Sequence, residues 1–308
     1  MNRSILVTGD FDIPLELYSN KLRHLREPRS NEEIIDSLGG ISHYIVGGPE
    51  YVSQQILQEA KDLRQIIVMG TGTSSFVDTA FANKNGIEVC NTPGINAESV
   101  AEYALGALIF NLANSVYSRE VLLSGGWYQK PHKTLAEVAV GIVGMGDIGQ
   151  RIARKIWQVS PSTRLYYNSR SRKEKIEQEI GIEYLPLKSL TSHVDVILTS
   201  LTYTNESHYL LGAEFFDAIE RPVTIFNFSN PSVIDPVALK VSLDRNTVKF
   251  AFFDGYYNEW IYNTGVSADP YGLLTLAPDK FVATSHIAAQ AESVITAILK
   301  EAFAKISV

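Results

Sequence analysis

The chain has 308 residues, 45% of them hydrophobic, and a formal net charge of −7 at pH 7. That length and composition point to two globular domains, and the acidic balance argues against a nucleic-acid or anionic-membrane partner. The single cysteine, Cys90, excludes an intramolecular disulfide framework and any Cys-x-x-Cys metal or redox site. The apolar run near the start is too short for a signal peptide, and no stretch approaches the roughly 18 apolar residues of a membrane span. A reducing, cytoplasmic setting is the expectation.

Ile5 to Thr8, Tyr44 to Val46, Gln65 to Met69 and Ile87 to Cys90 read as short buried strands. Helical segments at Tyr51 to Asp62 and Val77 to Asn85 separate the later ones, and Asn91-Thr92-Pro93-Gly94 stops the last. This alternation predicts a parallel α/β sheet. A long helix follows, from about Ala97 to Leu123. It is apolar almost all round at Ala101, Ala104, Leu105, Ala107, Leu108 and Ile109, so it is expected to be buried on several sides, in a subunit interface or between domains. A second α/β series starts near Val138 and continues through Val194 to Leu198, Val223 to Phe226, Phe250 to Phe253 and Val282 to Ala283. The final helix, about Ala289 to Ile306, has no strand left to pair with and is expected to fold back on the first domain.

The most informative stretch is Val138 to Gly149, where an apolar strand enters a Gly-x-Gly-x-x-Gly turn: Gly144, Met145, Gly146, Asp147, Ile148, Gly149. A helix from Gln150 to Val159 and a second strand, Arg164 to Tyr167, complete one βαβ unit. Gly144 permits the tight turn, Gly146 lets backbone approach a pyrophosphate, and Gly149 lets helix and strand pack closely. At the end of the second strand, an NAD-binding chain carries an acid for the ribose hydroxyls. Here the run is Tyr166-Tyr167-Asn168-Ser169-Arg170-Ser171-Arg172, with no acid and two guanidinium groups suited to a 2′-phosphate. NADP(H) is therefore predicted over NAD(H), with Asn168, Ser169, Arg170 and Arg172 as contacts.

Further residues flank this unit: Asn91-Thr92-Pro93-Gly94 and Val100-Ala101-Glu102 before it, and Asn227, Asp235, Asp254, Glu259 and Ser285-His286-Ile287-Ala288 after it. In order and spacing the chain resembles the D-isomer-specific 2-hydroxyacid dehydrogenase family from Ile5 to its last helix. Its Asn-Ser-Arg-Ser-Arg run is similar to that of NADPH-preferring hydroxypyruvate and glyoxylate reductases. The resemblance implies a Rossmann dinucleotide-binding domain (99–288) inserted into a flavodoxin-like substrate domain (1–98 plus 289–308), with the catalytic cleft at their junction. It implies a homodimer with the long helix near the interface, and a small-molecule substrate. By the same carry-over His286 is the general acid that protonates the alkoxide left by hydride addition. Glu259 orients it and favours its charged form, and Asp254 contacts the nicotinamide carboxamide, against the alternative of a cap at the strand end. Thr71, Gly72 and Thr73, in a glycine-rich turn, are read either as N–H donors to a substrate carboxylate or as a plain turn ending a strand.

One departure stands out. The family's Asn-x-x-Arg-Gly pattern, whose arginine binds the substrate carboxylate, is here Asn227-Phe228-Ser229-Asn230-Pro231, with Asn230 at the arginine position. Losing a charge-assisted contact costs about 1.5–3 kcal/mol, and losing a donor to a developing oxyanion costs on the order of 10²–10³ in rate. Three outcomes stay open: a substrate without the usual carboxylate, a compensating base such as Arg119 or Lys130, or a weakened enzyme. Ser74-Ser75, Thr202 and Ala289 are lesser departures. The rival from another class is a dinucleotide-binding sensor or scaffold that has lost efficient catalysis. A short-chain dehydrogenase is discarded because Pro186 interrupts Tyr184 to Lys188. No metal is expected, because His24, His43, His132, His193 and His208 lack paired ligand spacing.

Overall fold

A computed structural model describes residues 4–26, 28, 30–258 and 269–306. The chain divides into two compact units, one built from the chain up to Asn96 and again from Ala289, the other from Ala97–Tyr257 and the stretch that ends at Ala288.

The first unit runs β1 (Ile5–Thr8), β2 (Leu22–Leu25), α1 (Asn31–Ser37), β3 (His43–Val46), α2 (Gln54–Glu59), β4 (Gln65–Val68), α3 (Thr79–Lys84) and β5 (Glu88–Asn91). Its strands form a parallel sheet in the order β2-β1-β3-β4-β5, the flavodoxin-like arrangement. Alternate side chains leave opposite faces of a strand, and both faces are covered. Leu6, Tyr44, Val46, Ile66 and Val68 pack with Ile34, Ile56 and Ala82 from the helices on one side. Ile5, Val7, Ile45 and Ile67 pack with Ile295, Leu299 and Ala302 of the C-terminal helix, Glu292–Ala304, on the other. The final helix thus covers the first sheet's second face, which is why β1, β3 and β4 are mostly apolar.

The second unit opens with α4 (Ala97–Leu112) and α5 (Ser115–Leu123), then β6 (Ala139–Val143), α6 (Asp147–Val159), β7 (Arg164–Asn168), α7 (Glu174–Ile180) and β8 (Glu183–Tyr184). It continues with α8 (Leu187–His193), β9 (Val196–Thr199), α9 (Ala213–Asp217), β10 (Val223–Asn227), α10 (Pro236–Asp244), β11 (Val248–Asp254) and β12 (Phe281–Thr284). Its strand order, β8-β7-β6-β9-β10-β11-β12, is that of a Rossmann sheet with one added strand. Val140, Ile142, Leu198 and Phe226 face α4, α6 and α7. Val143, Ile197, Ile225 and Phe253 face α8, α9 and α10. The fold is therefore a Rossmann unit inserted into a flavodoxin-like one.

The helix expected to run unbroken from Ala97 to Leu123 is two helices. Asn114 takes a left-handed conformation (φ 52°) between them, one that asparagine tolerates better than most residues. Within this one chain a single side of it is buried. Ala97, Val100, Ala101, Ala104 and Leu108 form one buried stripe on α4, while Ile109 and Phe110 are exposed and α5 buries no residue. The predicted helices at Tyr51 to Asp62 and Val77 to Asn85 are shorter than expected, at α2 and α3, because Val52 and Val77 pair as an isolated bridge.

Candidate active site

Register aligns the strand ends of the second unit. Val143 pairs with Asn168 and Thr199, Asn227 with Thr199 and Phe253, and Asp254 with Thr284. The loops that leave β6, β7, β9, β10, β11 and β12 therefore share one carboxyl-end edge, where open α/β sheets bind ligands. This topology gathers Gly144, Asn168, Asn230, Asp254 and His286 on that edge from distant points in the sequence.

The glycine turn fits a dinucleotide phosphate in detail. Gly144 has φ +100°, and a Cβ there would meet the Ser200 carbonyl oxygen at 2.6 Å. A Cβ on Gly149 would run into the Gly144 carbonyl oxygen, which also accepts from the Ser200 hydroxyl at 2.8 Å. A Cβ on Gly146 would meet nothing within 4 Å. Two glycines are thus required by the protein's own packing, and the middle one by nothing in the protein, so open space lies where a phosphate would approach. Gly146 begins α6, and among the described residues the N–H groups of Gly146, Asp147 and Ile148 donate to no protein acceptor. Unpaired N–H groups at a helix start favour anions. Met145 is buried, and Asp147 holds Arg151 at 3.0 Å.

At the end of β7 the two arginines have different protein partners. Asn168 donates its amide to the Leu185 carbonyl at 2.9 Å, and the Ser169 hydroxyl donates to the Ser171 carbonyl at 2.6 Å. Arg170 is almost fully exposed, with its nearest acid, Glu206, 3.6 Å away. Arg172 is committed elsewhere: it donates to Glu177 from Nε at 3.0 Å and Nη2 at 2.8 Å. The guanidinium, followed by the Tyr167 hydroxyl, holds the Glu177 carboxyl below the usual range. Burial, then the Glu177 hydrogen bond, pushes the Tyr167 phenol up to about 12. Arg172 is thus part of an Arg–Glu–Tyr bracket with α7, whereas Arg170 has only the looser pairing with Glu206.

At the end of β10, fully buried Asn227 shapes the next turn. Its Oδ1 accepts from the Thr199 hydroxyl and from the Ser229 N–H at 3.1 Å, and its Nδ2 donates back to the Ser229 carbonyl at 3.1 Å. Asn230 follows and caps a short helical turn, its Oδ1 accepting from the Ser232 N–H at 2.9 Å. Asp235 caps α10 through the N–H groups of Val237 and Ala238. Of the bases considered as replacements, Arg119 pairs with its neighbour Glu120, and Lys130 lies over the Tyr128 ring.

Asp254, expected to contact the nicotinamide carboxamide or to cap the strand end, makes three hydrogen bonds within the protein. Both of its oxygens accept from the turn after β12: Oδ1 from the Thr284 hydroxyl at 2.7 Å and the Ile287 N–H at 2.9 Å, and Oδ2 from the Ala288 N–H at 2.9 Å. The buried carboxylate is a bracket for the turn that carries His286, close to the strand-end cap weighed as the alternative. His286 is exposed at the tip of that turn, in a left-handed conformation with φ 56°. A non-glycine residue held there costs about 1–3 kcal/mol and marks a site the surroundings constrain. Glu259 lies outside the described residues.

In the first unit, Gly70 (φ +134°) donates its N–H to the Thr92 hydroxyl at 2.9 Å. The next three N–H groups, of Thr71, Gly72 and Thr73, donate to no protein acceptor among the described residues. The Thr73 carbonyl closes the turn by accepting from Phe76 and Val77 at 3.0 Å. No group of three or more His, Cys, Asp or Glu side chains that could hold a metal occurs among the described residues, and no helix among them is long and apolar enough to cross a membrane.

Fold and strand-end edge together define a dinucleotide-binding α/β protein of the oxidoreductase kind. The NAD binding domain of the D-isomer specific 2-hydroxyacid dehydrogenases matches residues 105–288, so the chain belongs to that family and binds a nicotinamide dinucleotide. A glyoxylate reductase from Pyrococcus furiosus is 27% identical over 241 residues, which cover 75% of this chain and 71% of that protein. Among solved structures, the D-lactate dehydrogenase of Aquifex aeolicus, in complex with NAD and lactic acid, has a TM-score of 0.81 at 20% identity, over 98% of this chain and 93% of that one. The pyruvate reductase of Chlamydomonas reinhardtii has a TM-score of 0.81 at 18% identity, over 99% and 95%. At that identity, these likenesses speak for the fold alone.

The residues that sequence reasoning missed are mostly hydroxyls. Ser99, Thr199, Ser200 and Thr284 each tie a strand-end turn in place. Ser99, next to the Val100-Ala101-Glu102 motif, and Thr284, next to Ser285-His286-Ile287-Ala288, stood beside signals that could have drawn attention to them.

Proposed function

We propose that this protein is an NADP(H)-linked reductase of a small 2-oxo acid or related 2-oxo compound, yielding the D-configured alcohol. The bound nicotinamide supplies the hydride to C2. His286, as imidazolium, gives its proton to the carbonyl oxygen as that oxygen becomes an alkoxide. Glu259 orients the ring, Asp254 holds the turn that carries it, and the contact of Asp254 with the nicotinamide carboxamide is part of the same reading. The N–H groups of Thr71, Gly72 and Thr73 suit a carboxylate, and Asn230 stands where a cation would grip it. The observation that carries this reading is the strained His286 turn on the same strand-end edge as the glycine turn with its unpaired N–H groups.

The choice of NADP(H) rests on two features. Asn168 offers no carboxylate to the ribose and already bonds Leu185, while Arg170 is an exposed cation beside it. A homodimer is part of the proposal, supported by the exposed Ile109, Phe110, Tyr117, Leu123 and Trp127 on and after α4 and α5. A second reading, a dinucleotide-responsive sensor, is favoured by one observation: uncharged Asn230 is employed as a helix cap at the arginine position. NADPH oxidation by the purified protein against glyoxylate, hydroxypyruvate, pyruvate and a wider ketone panel separates the two. Turnover supports the reductase. Tight NADPH binding with no turnover on any compound selects the sensor.

A further inference from the structure

The left-handed backbone of His286 is held from two directions. From β11, Asp254 gathers the Thr284 hydroxyl and the N–H groups of Ile287 and Ala288. From α4, the Ser99 hydroxyl donates to the Ala288 carbonyl at 2.6 Å. The His286 N–H itself donates to the Thr284 carbonyl at 2.9 Å, so Thr284 anchors the turn through both its backbone and its side chain. One turn along α4 from Ser99, the Tyr103 phenol faces Thr284 and Asp254, and burial raises it above its ordinary value. A residue in an unfavoured backbone region persists where its surroundings over-determine it, and here two hydroxyls, one carboxylate and two N–H groups do so.

The geometry points to Ser99 and Thr284 as positioning residues for His286: their hydroxyls tie the 284–288 turn to α4 and, through Asp254, to β11, and thereby set where the imidazole stands. This rests on His286 being the proton donor. Neither hydroxyl reaches the reacting atoms; each acts through backbone, as the supporting shell of a preorganised site does. A displacement of about 1 Å at a reacting group costs up to about 10²-fold in rate, so loosening the turn lowers kcat while leaving the glycine turn and its cofactor contacts intact.

The test uses Ser99→Ala and Thr284→Val, with Ser99→Thr and Thr284→Ser as variants that keep the hydroxyl. Expected for each deletion is a fall in kcat of about tenfold, an unchanged Kd for NADPH, and faster amide exchange at Ile287 and Ala288. The hydroxyl-retaining variants restore both kcat and exchange. Wild-type kcat and exchange in Thr284→Val and Ser99→Ala would overturn the inference, and so would equal losses in the hydroxyl-retaining variants, which would make the role one of packing. Full turnover in His286→Gln would instead refute the proton-donor assignment, and the exchange measurement would still decide whether the hydroxyls hold the turn.

Discussion

Two turns at the same sheet edge have fared differently. The turn after β6 keeps every feature of a phosphate cradle: Gly144 against the Ser200 carbonyl, Gly149 against Gly144, and Gly146 facing open space. The turn after β10 keeps its frame, with Asn227 bonded to Thr199 and Ser229, but carries uncharged Asn230 at the position where the sequence resemblance puts the family's arginine. On the proposed reading, cofactor binding and substrate gripping are separable constraints on this fold. Glycines are required by backbone collisions, which no neighbouring change relieves. A cation aimed at a ligand answers only to that ligand.

The largest effects come from attacking the first turn. Gly149→Ala places a methyl against backbone and is expected to cost about 1–3 kcal/mol or more, read as a lowered melting temperature together with lost NADPH binding. Gly146→Val has room in the protein, so it should melt like wild type yet fail to bind NADPH in a fluorescence titration. Equal melting losses for both would break the distinction drawn between them.

Restoring the second turn gives the next largest effect. Asn230→Arg is expected to raise kcat/KM on 2-oxo acids by about 10²-fold, with about 1 kcal/mol of stability lost along with the helix cap. An unchanged kcat/KM would mean that the substrate carries no carboxylate at that point. Smaller changes follow at β7. Arg170→Ala should weaken NADPH about tenfold and leave NADH alone, while Arg172→Ala should affect NADPH less, because its guanidinium serves Glu177. Glu206→Gln should tighten NADPH by only about twofold, since an exposed pair is worth little.

The smallest effect lies outside both turns and serves as their control. Glu50 is fully buried; it accepts from the Thr8 and Tyr44 hydroxyls, and among the described residues its Oε2 has no hydrogen-bond partner. Burial raises its carboxyl above the ordinary value despite those bonds. A raised folded-state value means the folded chain binds the proton more tightly than the unfolded one. Its stabilisation is therefore complete below the unfolded value of about 4.3 and is lost as pH rises through the folded one. Glu50→Gln should flatten that decline in denaturant titrations across the acid-to-neutral range, without changing NADPH affinity.

Much of this was legible in the sequence, for physical reasons that differ by region. Parallel strands buried on both faces are mostly apolar, with polar residues at their ends or singly within them, so β1, β3, β4, β6, β9 and β10 show themselves. The edge strand β2 (Leu-Arg-His-Leu) does not, because one side of it is solvated. Helix α1 escaped notice although Ser30 and Glu33 carry a capping signal, realised as Glu33 N–H donating to the Ser30 hydroxyl at 3.2 Å. The α4–α5 break turns on one left-handed asparagine, and apolar periodicity does not register backbone hand. At the site, glycine spacing predicted the cradle, yet nothing local distinguished Arg172, tied to a glutamate five residues on, from exposed Arg170. The bracket on His286 joins residues 99, 254 and 284–288, and only the sheet's topology brings them together.

The most direct measurement compares wild type with His286→Gln in NADPH oxidation driven by a 2-oxo acid, with NADPH affinity determined on both proteins. The expected result is turnover by the wild type, equal NADPH affinity, and a fall in kcat of about 10²–10⁴-fold in the variant. Turnover that survives the substitution undiminished, or a wild type that binds NADPH and reduces nothing, would contradict the assignment.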